Sequence, residues 1–260
     1  MQYSVRYIVG FAAAVCVVCA LAVSVSAVAL KDLQLVNKQL DQQKNVLSVS
    51  GLVESTRGLS SEQVEQLFSD SIRARVIVLE TGEYDESIDA TTFDQRKAAK
   101  DPATSVAAPE NKSKVRRLPT HALIYEVMDG DRVSRVILPI EGMGLWSTLY
   151  GYIALSGDDV NTVQGITYYD QKETAGLGGE VENPRWKALW PGRRVFDARW
   201  QPVITVKKGR AGSPEEDPHS VDGLSGATLT SNGVTNMLRF WMGDTGFGPF
   251  LASYRAAKGI

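Results

Sequence analysis

From Tyr7 to Leu30 almost every residue is apolar. As a helix, about 24 residues rise roughly 36 Å, enough to cross the roughly 30 Å hydrocarbon core of a bilayer. The run therefore predicts a single transmembrane helix with the lipid bilayer as its partner, and residues 1–30 are assigned as an anchor. A cleaved signal peptide is the rival reading, since Arg6 precedes the run and Val25-Ser26-Ala27 or Ala27-Val28-Ala29 offers a small-residue cleavage site. The run exceeds a signal-peptide core of about 7 to 15 residues, which favours an uncleaved anchor. Flanking charge orients it weakly, because Arg6 and the amino terminus oppose Lys31 and Asp32. The short leading tail makes export of the large C-terminal part the natural reading.

Beyond the anchor the chain is long enough for one good core or two small ones. The net charge of −2 argues against a nucleic-acid platform, which shows a basic face. Cys16 and Cys19 both lie in the apolar run. The remainder thus has no disulfide and no thiolates for an iron–sulfur or Cys-zinc site. His121 and His219 stand apart from any second histidine at ligand spacing, so no metal site is expected.

Leu33, Val36, Leu40 and Leu47 recur at near-helical spacing, predicting a helix from Lys31 to Val49. Ser60 and Ser61 before Glu62, Val64, Leu67 and Phe68 mark a short capped helix, and Val76 to Leu79 a buried strand. Residues 83–118 are polar, with scattered Lys and Arg, and read as a surface insertion with partial order. Two hairpins come next: Ala122–Tyr125 with Val133–Leu138 around Asp129-Gly130-Asp131, and Ile153–Leu155 with Val163–Tyr169 around Gly157-Asp158-Asp159. A short helix near Pro184–Leu189, strands at Val195-Phe196 and Val203–Val206, and a final helix from Leu229 to about Trp241 complete the chain. The fold class is α+β: an N-terminal transmembrane helix, then a largely antiparallel sheet with flanking helices. Residues 31–118 form a membrane-proximal helix, a small α/β part and the insertion, and 119–260 form the main domain.

Asp222-Gly223-Leu224-Ser225-Gly226-Ala227-Thr228 stands just before that last helix. Asp-Gly is a turn dipeptide, and Ser225 or Thr228 is a suitable cap for a helix starting near Leu229. A helix start gathers anions, because its first N–H groups lack partners and its dipole is positive. Gly226 and Ala227 keep side chains out of the way of a phosphate. On physics alone, plain helix capping by Ser225, Thr228 and Thr230 is the favoured reading, and spacing by itself does not overturn it. The string resembles the Asp-x-x-Ser-Gly-Ala-Thr flavinylation motif of the FMN-binding domain family. That resemblance implies one covalent FMN, joined through its phosphate to Thr228 by a flavin transferase, with Ser225, Gly226 and Ala227 beside it.

Two other stretches carry the same resemblance. Glu173-Thr174-Ala175-Gly176-Leu177-Gly178-Gly179 is similar to the family's Glu-Thr-Pro-Gly-Leu-Gly signature, with Ala175 where proline is common. It lacks the spacing of a dinucleotide fold, and by itself a glycine-rich turn is only a loop that lets backbone approach a ligand. Gly144-Leu145-Trp146-Ser147-Thr148 is similar to the family's Gly-Leu-Trp-Ser segment, which makes Trp146 a candidate wall for the flavin ring and Leu145 its neighbour. Ser147, Thr148, Thr174 and the N–H groups around Leu177 and Gly178 are then expected donors toward negative charge on the ring. Lys207, beside Lys208, is included as a source of positive charge, although a solvated surface role is the favoured reading for such a lysine.

The ending Gly246-Phe247-Gly248-Pro249-Phe250-Leu251 extends the resemblance to the flavin-bearing subunits of membrane NADH:quinone oxidoreductases. It implies a single-pass protein of a bacterial inner membrane, its bulk periplasmic. It would relay electrons among the other subunits of a sodium-transporting complex. Two alternatives remain open: the flavin-bearing subunit of an Rnf-type ferredoxin:NAD complex, and an anchored binding module with no redox group.

Overall fold

The computed structural model describes residues 4–260; Met1 to Tyr3, and with them the amino terminus counted in the flanking charge, lie outside the described residues. Contacts divide the chain into a part up to Gln43 and a part from Lys44 to Ile260. Helix α1 runs Val5–Ser50 without a break, joining the expected anchor and the expected helix after it. Its segment Val5–Lys31 has a mean hydropathy of 2.7 and is the one helix among the described residues long and apolar enough to cross a membrane. Ile8, Phe11, Val18 and Leu21 are exposed there, an arrangement unfavourable in water and favourable in lipid.

In the second part, the last turns of α1 bury Val46, Leu47 and Val49. Helix α2 (Ser61–Ser71) is capped as expected, through a reciprocal capping box of Ser60 with Gln63, and it feeds directly into strand β1 (Ile72–Val78). Helix α3 (Gln95–Lys100) and the small hairpin of β2 (Ser105–Ala107) and β3 (Arg117–Pro119) order the stretch read as an insertion. Side chains pin it down: Leu123 N–H donates to Gln95 at 2.8 Å, and Arg96 meets Asp170 at 2.9 Å.

Strands β4 (His121–Asp129), β5 (Arg132–Met143), β6 (Thr148–Ser156) and β7 (Val163–Asp170) form the two expected hairpins. With β1 they make one antiparallel sheet in the order β1-β4-β5-β6-β7. Residues 44–118 and 119–260 therefore share this sheet.

After β7 come a 3-10 turn (Gly178–Glu182) and a one-turn helix α4 (Pro184–Lys187), capped by Asn183. Strands β8 (Thr205–Val206) and β9 (Ser220–Val221) pair in parallel. The strand expected at Val195-Phe196 is reduced to isolated bridges, Arg194 with Thr162 and Phe196 with Pro202. The Asn161 side chain completes the pairing there, accepting from Phe196 N–H at 2.8 Å and donating to its carbonyl at 3.3 Å. Arg193, 3% exposed, donates to the carbonyls of Leu189, Gly212 and Asp217 and so ties down the loop before β9.

Helix α5 (Thr228–Met242) lies against β5 and buries Val234, Met237, Leu238 and Trp241, one stripe at helical spacing. Each such side chain contributes about 1.5–3 kcal/mol on burial. Trp241 also donates its indole N–H to the Glu141 carbonyl at 2.6 Å. A last helix, α6 (Gly248–Lys258), was not expected from the sequence; Pro249 sits in its first turn, and Phe250, Leu251 and Tyr254 fill the core.

Candidate functional site

Thr228 opens α5 and is exposed, and its hydroxyl makes no hydrogen bond among the described residues. Ala227 occupies the cap position and no side chain caps the helix, so the expected capping by Ser225 or Thr228 does not occur. The reason lies one turn on. The Ser231 hydroxyl accepts from Leu224 N–H and donates to the Ala227 carbonyl, both at 3.1 Å, and holds the turn from inside. The first N–H groups of α5 are left uncapped beside an exposed hydroxyl, a setting that favours an anion. Asp222 fixes the entry to the turn, accepting from Ala211 N–H at 2.8 Å through its carboxylate and from the Trp186 indole at 2.9 Å through its carbonyl. Ser225 and Gly226 are exposed, and Gly226 adopts φ +70°, a left-handed turn position that favours glycine.

Glu173 gathers the three stretches. Its carboxylate accepts from Leu145 N–H at 3.1 Å, Trp146 N–H at 2.9 Å, Ser147 N–H at 3.0 Å, the Ser147 hydroxyl at 3.1 Å and the Thr230 hydroxyl at 2.7 Å. Burial pushes this carboxyl up, but the Thr230 hydroxyl and the N–H groups of Trp146, Leu145 and Ser147 outweigh it and hold it below the ordinary carboxylate range. The 144–147 loop, the 173–178 loop and the start of α5 are thereby locked into one unit. Gly178 makes the close approach possible, since a Cβ there would lie 2.6 Å from Thr230 Oγ1 and 2.7 Å from Glu173 Oε2.

Four apolar side chains of this frame stand exposed. Leu145 is 39% exposed, Trp146 70%, Leu177 43% and Leu229 59%. Exposed apolar groups clustered on a rigid, hydrogen-bonded frame are the mark of a binding surface. Such a frame fits a flat ring with a phosphate tail: apolar walls, small residues at the turn and an uncapped helix start.

The remaining expected residues are placed differently. Ser147 and Leu177, read as donors toward a ring, already donate within the chain: Ser147 to Glu173, and Leu177 N–H to the Thr174 carbonyl at 3.1 Å. Thr174 itself is exposed at the start of that turn. Thr148 starts β6 and lines a separate cleft with Arg96 and Lys100. Lys207 follows β8, and its ammonium meets Asp217 at 2.9 Å. Two residues escaped the sequence reading. Thr230 passed for a cap, although its place two positions after Thr228 turns it to the opposite side of the helix. Leu229 gave no signal beyond an apolar residue at a helix start.

Residues 144–243 match the family model of the FMN-binding domain, so fold and site together define a flavin-binding domain. The chain is 49% identical over 244 residues to the C subunit of the Na(+)-translocating NADH-quinone reductase of Vibrio anguillarum, covering 93% of this chain and 92% of that one. It is 47% identical to the corresponding protein of Yersinia pestis, covering 92% and 89%. The crystal structure of NqrC from Shewanella oneidensis superimposes with a TM-score of 0.77 at 34% identity, over 85% of this chain and 99% of that one. The structure of the C subunit from Parabacteroides distasonis gives 0.65 at 28%, over 85% and 96%. The chain belongs to the family of C subunits of the Na(+)-translocating NADH-quinone reductases.

Proposed function

We propose that this chain carries one FMN, esterified through its phosphate to Thr228, and relays electrons between other subunits of a Na(+)-translocating NADH-quinone reductase. The observation that carries the reading is the Glu173 cluster, which brings the three family-like stretches together beside an exposed Thr228 hydroxyl at an uncapped helix start. Bound there, the flavin supplies electron acceptance and release. The chain's own residues do the holding: Thr228 tethers, Gly226 and Ala227 clear the turn, and Leu145, Trp146, Leu177 and Leu229 offer apolar walls. Glu173 keeps this frame in place and places a negative charge behind it, which opposes further negative charge on a ring nearby.

Loading requires a flavin transferase as a second partner, and the accessible hydroxyl suits an enzyme that works on the folded chain. We place the part from Lys44 onward on the periplasmic side of a bacterial inner membrane, with α1 as its anchor. Family membership favours this complex over a ferredoxin-oxidising one. Intact mass of the chain, purified from a host with the transferase, tests the central point. One FMN on the peptide containing Thr228 supports it; an unmodified chain beside proven transferase activity would overturn it and favour a binding module without a redox group. Protease access in spheroplasts tests the orientation, and full protection of the part from Lys44 would reverse it.

A further inference from the structure

A second concavity lies apart from the Glu173 cluster. It is a cleft of about 980 Å³, within the range of small-molecule sites, walled by α3 and by residues 108–117. Arg96, Lys100, Lys114, Arg116 and Arg117 line it, against the carboxylates of Glu110 and Glu141. This excess of positive charge stands in a chain whose net charge is −2.

The cations are arranged by the fold. Arg96 lies 3.6 Å over the Tyr150 ring and 2.9 Å from Asp170. Arg117 is fixed by two 2.7 Å bonds to Ser105. Lys100, Lys114 and Arg116 are exposed and form no ion pair among the described residues. Lys114 is held at φ +61°, a conformation uncommon for a residue with a Cβ. Asn111 maintains that turn, donating to the carbonyls of Pro109 and Val115 and accepting from Val115 N–H. Beside it the buried Ser113 hydroxyl has no hydrogen-bond partner among the described residues. Burial pushes the Glu141 carboxyl up despite Arg96 and Lys100.

We infer that this cleft is a binding site for a small polyanion of the oligophosphate class, recognised by the free cations of Lys100, Lys114 and Arg116. Guanidinium and ammonium groups converging from two elements suit the several charged oxygens of such a ligand. Its position gives it a route to the other site. Met143 and Thr148 line the cleft and bracket the 144–147 loop, and Arg96 holds Asp170 three residues before Glu173.

The test is calorimetric titration of inorganic pyrophosphate into the full-length chain in detergent, at two salt concentrations. Saturable one-site binding that weakens with salt is expected, with affinity falling roughly tenfold in Lys114→Ala and in Arg116→Ala, the effect of losing one charge-assisted contact. Lys100→Ala, on α3, repeats the test on a different element in case the loop variants disturb the Asn111 turn. No binding by the unsubstituted chain, or unchanged affinity in all three variants, would overturn the site. Binding of a hexaglutamate peptide without binding of pyrophosphate would also overturn it and make the cleft a dock for an acidic partner segment.

Discussion

The Thr230 hydroxyl donates to Glu173 at 2.7 Å across 57 positions of sequence, and this one bond fastens the start of α5 to the loop that carries Leu177 and Gly178. Because Glu173 also accepts from Leu145, Trp146 and Ser147, the pair organises the whole surface around Thr228. Replacing Glu173 with Gln turns one acceptor into a donor facing N–H groups. A loss of about 2–3 kcal/mol is expected, and Thr230→Val loses about 1.5–3 kcal/mol. In a double-mutant cycle by urea unfolding the two losses sum to more than the double variant shows. Strict additivity would mean that the bond contributes nothing.

Thr228→Val tests the proposed acceptor. The side chain is exposed and unbonded, so stability should change by no more than about 0.5 kcal/mol while covalent flavin disappears. Flavin fluorescence of the denatured protein band on a gel reads the outcome, and a fluorescent, folded variant moves the attachment elsewhere.

Acid should loosen the frame. The Glu173 carboxyl titrates lower in the folded chain than in the unfolded one, so its contribution is fully present above the ordinary carboxylate pKa of about 4.3. That contribution is lost as pH falls from there through the folded value. Comparing melting curves of the parent and Glu173→Gln between pH 7 and pH 3 should show the gap closing with acid. A gap that stays constant removes Glu173 from the pH response.

Gly178→Ala forces a methyl group into Thr230 and Glu173, with an expected cost of about 1–3 kcal/mol and weaker flavin loading. A variant as stable and as fully loaded as the parent would show that the loop has room to move.

Arg193→Met leaves the carbonyls of Leu189 and Gly212 without their donor and takes one of two from Asp217, which keeps Ser220 N–H. At about 1–3 kcal/mol for a buried unsatisfied group, the loop before β9 should open first. Faster amide exchange at residues 209–218, with α5 unchanged, is the expected pattern, and uniform exchange would contradict it.

Local signals made much of this legible. The apolar run, the Ser60 cap and the two hairpins each depend on neighbours in sequence, and each formed as expected. So did the turn ahead of α5, though not its cap. The features that stayed hidden depend on long-range partners. Nothing near Val195-Phe196 announces that Asn161 will satisfy its backbone, and nothing near Thr230 points to Glu173. The polar stretch 83–118 looked loosely ordered because its anchors, Tyr150 and Asp170, come from distant strands.

Thr228 faces out and Thr230 faces in because each residue advances a helix by about 100°. Adding or deleting one residue between Gly226 and Thr230 would rotate the hydroxyl away from solvent or pull its neighbour off Glu173. Spacing in this segment is therefore less tolerant of change than composition: a Ser for a Thr is a small edit, but a single-codon insertion would abolish the site while leaving every motif residue in the gene.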